Sequence, residues 1–161
     1  MKVKVVIVWK KIIIIVLVCL VLYFGISKLG KYEDEFILDG YSDKFTLDTG
    51  AGMDFSTYSK YYYDETMDQK FIDSGWYHKV EEENIKYLSE YFDDIKREFE
   101  YLDMDNEYDF NNNVITVGDY FLIKTEEGKK IGEYEYGRFD IYRIYLYDIE
   151  SHILYRIHEK G

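Results

Sequence analysis

The 161-residue sequence contains no proline, one alanine (Ala51) and one cysteine (Cys19). A single cysteine excludes an intrachain disulfide. Cys19 follows Val18 rather than a small residue, which excludes the lipid-modified cysteine of a bacterial lipoprotein. Histidine is scarce, with three in the chain, and His78 has no neighbour that suggests catalysis. Neither a Ser–His pairing nor a cluster of His and Cys ligands is visible, so nucleophilic and zinc chemistry have no sequence support. The shortage of Ala and Pro, beside abundant Tyr, Ile, Lys, Asn, Asp, Glu and Phe, follows the codon usage of an AT-rich genome. The 19 tyrosines are therefore read first as composition bias rather than as a ligand surface.

Positive charge is scarce as well, and unevenly placed. Residues 1–31 carry six lysines and no acid, which leaves 14 basic against 32 acidic groups in residues 32–161, a net −18. Such a surface repels phosphate backbones and anionic headgroups, so nucleic acid is excluded as a natural partner. A cationic protein or peptide, or a divalent cation, is electrostatically favoured. Because 47% of the residues are hydrophobic, the composition is that of a folded chain rather than a disordered one.

The longest apolar run is Ile12 to Ile26, IIIIVLVCLVLYFGI. As a helix these residues span about 22 Å, short of a hydrocarbon core of about 30 Å. Lys10, Lys11 and Lys28 extend the span by snorkelling, and Tyr23 and Phe24 suit its boundary. Lysines precede the run and Glu33, Asp34 and Glu35 follow it, so the positive-inside rule places the N-terminus in the cytoplasm and the acidic domain outside. The expectation is a single-pass cell-membrane anchor over residues 1–30, contacting the bilayer through residues 10–28. A cleaved signal peptide, with a small-x-small site at Gly25-Ile26-Ser27, is the alternative. Both export the remainder.

Residues 31–53 are expected to form a tether with a short hairpin, EFILD against KFTLD, and residues 54–161 an extracytoplasmic domain. Asp64 suits the N-cap of a short helix carrying Met67 and Phe71 and closing at Ser74-Gly75. Asp54 to Tyr63 shows no clean period. From Glu81 to Leu102, Ile85, Leu88, Tyr91, Phe92, Ile95, Phe99 and Leu102 recur in steps of three and four, which predicts an amphipathic helix. Strands are expected at Asp119–Thr125, Ile131–Tyr136, Arg138–Tyr147 and His152–Ile157, in a meander covered by that helix. In the last strand Ile153, Tyr155 and Ile157 share one face, and His152, Leu154, Arg156 and His158 the other. The predicted fold is α+β: an N-terminal transmembrane helix, then one amphipathic helix on a three- to four-stranded antiparallel sheet.

VGDYFLIKTEEGKKIGEYEYGRFDIYRIYLYDIESHILYRIH, together with MDFSTYSKYYYDE and GWYHKVEEENIKYL, resembles small uncharacterised membrane-anchored proteins of low-GC Gram-positive bacteria. The resemblance spans about two thirds of the chain and rests on apolar-aromatic pattern. It implies export and one compact domain, and supplies no activity, cofactor or site residue.

Two motifs suggest chemistry. Asp48-Thr49-Gly50, within LDTGA, resembles the catalytic turn of aspartic proteases, where two Asp residues share one proton to activate water. One copy requires a homodimer of the retroviral type. That family's Gly-rich flap has no counterpart, since only Gly75 lies between Gly52 and Gly118, and its later apolar-apolar-Gly element is poorly matched by Thr116-Val117-Gly118. The predicted helix also falls where that fold wants strands. In DMDNEYDFNNN, Asp103, Asp105, Glu107 and Asp109 alternate like calcium ligands, but Tyr108 and Val114 stand where an EF-hand needs Gly and a bidentate Glu. Tyr61-Tyr62-Tyr63 is a candidate sugar-stacking platform or a mix of core and surface residues. His152 and His158, six residues apart on one strand, lie about 20 Å apart and cannot share a metal. The functional expectation is a non-catalytic binding module with an acidic, aromatic surface and no cofactor. The alternative is a homodimeric aspartic protease using Asp48.

Overall fold

The computed structural model describes residues 34–50, 55–104, 106–125 and 141–160. The anchor expected over residues 10–28 and the strand expected at Ile131–Tyr136 lie outside them. No helix among the described residues is long and apolar enough to cross a membrane. The chain divides after Ile37 into two units. Of the first, only Asp34–Ile37 is described, a turn closed by the Ile37 N–H on the Asp34 carbonyl at 2.8 Å.

The second unit, Leu38–Gly161, is α+β. Its sheet comprises β1 (Asp43–Asp48), β2 (Phe55–Tyr62), β3 (His78–Lys79), β4 (Tyr120–Thr125), β5 (Ile141–Asp148) and β6 (Ile153–Lys160), in the spatial order β1-β2-β6-β5-β4-β3. Every neighbouring pair is antiparallel. Among the described residues six strands replace the expected three or four. The difference lies in the first half of the chain, where KFTLD is β1, the unpatterned FSTYSKYY is β2 and His78–Lys79 is β3. The expected hairpin is not formed. Glu35 to Asp39 is turn and bend, and β1 pairs downstream with β2, Leu47 facing Tyr58. Within the expected tether, β1 is thus a strand of the domain.

Two helices flank this sheet. Asp64 caps a 3-10 turn (Glu65–Met67) by accepting from the Thr66 N–H, and α1 (Asp68–Asp73) continues from it. The chain then reverses at Gly75, whose φ of +72° belongs to the left-handed region that glycine enters freely. The long helix α2 (Glu82–Tyr101) opens with a reciprocal pair of bonds: the Asn84 N–H donates to the Glu81 carbonyl at 2.9 Å, and the Asn84 side chain accepts the Glu81 N–H at 2.8 Å. Glu82 and Glu83 sit at the positive end of its dipole.

Strand alternation sends side chains to two cores. On one face Leu88, Tyr91, Phe92, Ile95 and Phe99 of α2 pack against Leu47, Tyr58, Phe121, Ile144, Leu146, Tyr155 and Ile157. Each such side chain taken from water contributes about 1.5–3 kcal/mol. The opposite face holds Tyr61, Tyr145, Tyr147 and Leu154, and α1 covers it with Phe71. Phe71 stacks on Tyr147 at 3.8 Å and meets Tyr63 and Tyr77 edge-on at 5.1 and 5.2 Å. Tyr61 and Tyr63 are buried, so the three consecutive tyrosines form no stacking platform.

Candidate functional site

Asp48 is the last residue of β1, and the following turn explains its neighbours. Its Oδ1 accepts the Gly50 N–H at 2.9 Å, and Gly50 takes a φ of +112°. The Thr49 N–H donates to the Ser56 carbonyl, and the Thr49 hydroxyl accepts the Ser56 N–H at 2.9 Å. Each residue of the triplet thus has a part in turning β1 into β2, a hairpin role that needs no chemistry. The Asp48 carboxylate is exposed, on the face of the sheet opposite α2.

The acidic stretch after α2 is not gathered around a point. Asp105 lies outside the described residues. Asp103 is exposed at a φ of +57°. Asp109 turns back to the sheet, where Oδ1 accepts the Tyr58 hydroxyl at 3.1 Å and Oδ2 pairs with Lys60. Glu107 is exposed. Among the described residues no group of three or more His, Cys, Asp or Glu is placed to hold a metal ion.

Three polar clusters escape sequence inspection. Lys60 lies under the Phe45 and Tyr62 rings, 5.0 and 5.8 Å from their centroids, with 11% of its side chain exposed. Burial works against its charge, but Asp109 and Tyr62 outweigh it and hold the ammonium above its usual range. At one end of the same face, Ser56, Glu159 and Tyr142 are register partners across β2, β6 and β5. The Ser56 hydroxyl donates to Glu98 of α2 at 2.5 Å, and Tyr142 donates to Glu159. Burial, aided by the charge of Glu98, pushes the Glu159 carboxyl up against the hydrogen bond from Tyr142. On the opposite face Asp68 Oδ1 receives the Tyr147 hydroxyl at 2.5 Å and lies 2.9 Å from His152 Nδ1. His152 occupies the β5–β6 turn at a φ of +56°, not the strand position expected for it. Asp109, Tyr62 and His152 stood out in the sequence, as a candidate calcium ligand, a candidate platform tyrosine and a strand histidine, but the partners they meet here did not.

The surface that stands apart is the C-terminal end of α2. Its last turn carries Glu98 and Glu100 and no basic residue, and Asp103 follows the cap. These carboxylates crowd the negative end of the helix dipole, each at a cost of about 0.3–1 kcal/mol. Lys96, 3.7 Å from Glu100, is the nearby counter-charge. Between the acids, Tyr101 is 87% exposed and Leu102 42% exposed. An aromatic and an aliphatic side chain displayed within an anionic rim suit a ligand that brings both positive charge and apolar area. Compared with known proteins, the chain matches no family model, no curated sequence and no solved structure.

Proposed function

We propose that the protein is a membrane-tethered, extracytoplasmic binding module, held in the bilayer through residues 10–28, whose acidic and aromatic surface takes a cationic protein or peptide. The observation that carries this proposal is the excess of acidic over basic groups in and just after the last turn of α2, set around exposed Tyr101 and Leu102. A cationic ligand neutralises Glu100 and Asp103 and offsets the dipole in one contact, while Tyr101 supplies the anchor. The net −18 of residues 32–161 adds long-range attraction that salt screens.

The test uses the full chain in lipid nanodiscs and a fluorescent Lys-rich peptide containing Leu and Phe. Binding is expected to weaken steeply with salt and to fall at least tenfold in Tyr101→Ala and in Glu100→Lys/Asp103→Lys. Charge reversal at Glu82 and Glu83, at the other end of the helix, is expected to have a smaller effect. Equal losses at both ends would reduce the proposal to nonspecific charge attraction. Topology is checked separately: protease added to intact cells should digest the chain beyond Lys31.

A further inference from the structure

The edge strand β1 is complementary to itself. Its outer neighbours are absent among the described residues, where β1 pairs with β2 alone. The Thr49 N–H donates inward, to Ser56 of β2. Strand alternation therefore directs the backbone groups of Phe45 and Leu47 to β2 and those of Lys44, Thr46 and Asp48 outward. Consistently, the Lys44 N–H is taken by the side chain of its own neighbour, Asp43, at 2.8 Å. Lys44, Thr46 and Asp48 are exposed, Phe45 is half-buried and Leu47 is buried.

The geometry points to a homodimer in which β1 pairs antiparallel with β1 of a second copy, about a two-fold axis through Thr46. In that register Lys44 faces Asp48 of the second copy, Phe45 faces Leu47, and Thr46 faces Thr46. Opposite charge meets opposite charge and apolar meets apolar, each a favourable cross-strand pair, while the Thr46 side chains flank the axis with each hydroxyl held by Ser59 of its own β2 at 3.2 Å. The outward residues coincide with the hydrogen-bonded positions of this register, so Lys44, Thr46 and Asp48 each exchange backbone bonds with the second copy. Facing residues also share a side of the sheet, as continuous pairing demands. Slipping by one residue puts apolar Phe45 and Leu47 opposite polar side chains of the wrong face. Centring on Lys44 or on Asp48 sets like charges together. The closed two-fold contact joins two sheets into one and removes an edge that otherwise invites open-ended addition.

This dimer also bears on Asp48. The two Asp48 residues lie four positions apart along the paired strands, about 14 Å, so the same contact cannot assemble a shared-proton aspartate pair.

The test uses the full chain with Cys19→Ser in detergent and in vesicles. Across the axis the Thr46 Cα atoms lie about 5.5 Å apart, within the range of about 4.4–6.8 Å that a disulfide spans. Mild oxidation should convert Thr46→Cys to a covalent dimer much faster than Lys44→Cys, whose copies lie about 14 Å apart. Sedimentation equilibrium should show a dimer for the parent chain and a monomer for Lys44→Asp. Adding Asp48→Lys to that variant, which swaps the charges, should restore the dimer. Thr46→Pro removes an outward N–H that β2 does not use, and should leave a folded monomer by circular dichroism. Equal crosslinking at positions 44 and 46, or a charge-swapped chain that stays monomeric while folded, would overturn the assignment.

Discussion

Phe71 of α1 stacks on Tyr147 of β5 at 3.8 Å with their rings 13° from parallel. This contact fixes a short helix of six residues to the middle of the sheet. Such a helix has no stability of its own and depends on what its one buried face touches. Truncation in Phe71→Ala should destabilise the domain by about 3–5 kcal/mol. Urea unfolding followed by circular dichroism reads the loss, and a cost under 1 kcal/mol would mean that α1 docks by other means.

Lys60 and Asp109 join β2 to the segment after α2. Asp109→Ala leaves an ammonium largely out of water without its acceptor and frees the Tyr58 hydroxyl, at a cost of about 1–3 kcal/mol. Lys60→Met keeps the packing under Phe45 and removes the charge, so it should cost less than Asp109→Ala. Equilibrium denaturation of both variants checks the order.

Asp119 is fully buried, with Oδ2 accepting the Thr116 N–H at 2.7 Å and Oδ1 the Ile149 N–H at 3.2 Å. It ties the approach to β4 to the turn after β5. Asp119→Ala should cost about 1–3 kcal/mol for each donor left unsatisfied. Amide exchange at Thr116 and Ile149 should accelerate more than exchange in β2.

Burial raises the Glu159 carboxyl in the folded state. Between the ordinary Glu value of about 4.3 and that raised value, the native state binds more protons than the unfolded one, so stability falls as pH rises. Glu159→Gln keeps an acceptor for Tyr142 and removes the penalty. The variant should melt higher than the parent at pH 7 and show a flatter dependence of melting temperature on pH. A parent-like slope would assign the effect elsewhere.

Burial also pushes the phenols of Tyr58, Tyr108 and Tyr147 above their usual range, and that of Tyr87 to about 12. Above about pH 10 the unfolded chain releases phenolic protons that the folded one keeps, so stability declines with rising pH. Absorbance at alkaline pH should show exposed tyrosines ionising first, and the buried set ionising together as the fold is lost. Smooth independent titration of all tyrosines would contradict that.

The helix α2 was legible because its apolar residues keep one period over five turns and its other face is mostly charged. The strands β4, β5 and β6 were legible by their Tyr, Ile and Phe content and by the turns between them. By contrast, β2 was hidden because Ser56, Thr57, Tyr58 and Ser59 are all buried, which erases the alternation that marks a strand with one wet face. The opposite error arose at EFILD, where apolar spacing suggested a strand. There the Asp34 carboxylate and carbonyl take the N–H groups of Phe36 and Ile37, and the local turn wins. His152 was misplaced for a related reason. Asp148 accepts from the Glu150 and Ser151 N–H groups, which lengthens the turn and leaves His152 in the left-handed region. Of the proposed surface, the charge was plain in composition. The display of Tyr101 and Leu102 was not, because Leu102 continues the helical stripe and depends on where the helix stops.

Strands β5 and β6 have no dispensable side over much of their length. Ile144 and Leu146 are enclosed by α2 while Tyr145 and Tyr147 are enclosed from behind, and Leu154 and Ile157 repeat the pattern next door. Sequence drift in this protein is therefore channelled outward, to the solvent side of α2 and the ends of the sheet. A saturation library scored for folding should show an intolerant band at 144–148 and permissive positions on the solvent side of α2, so that related chains diverge in surface and partner long before they diverge in frame.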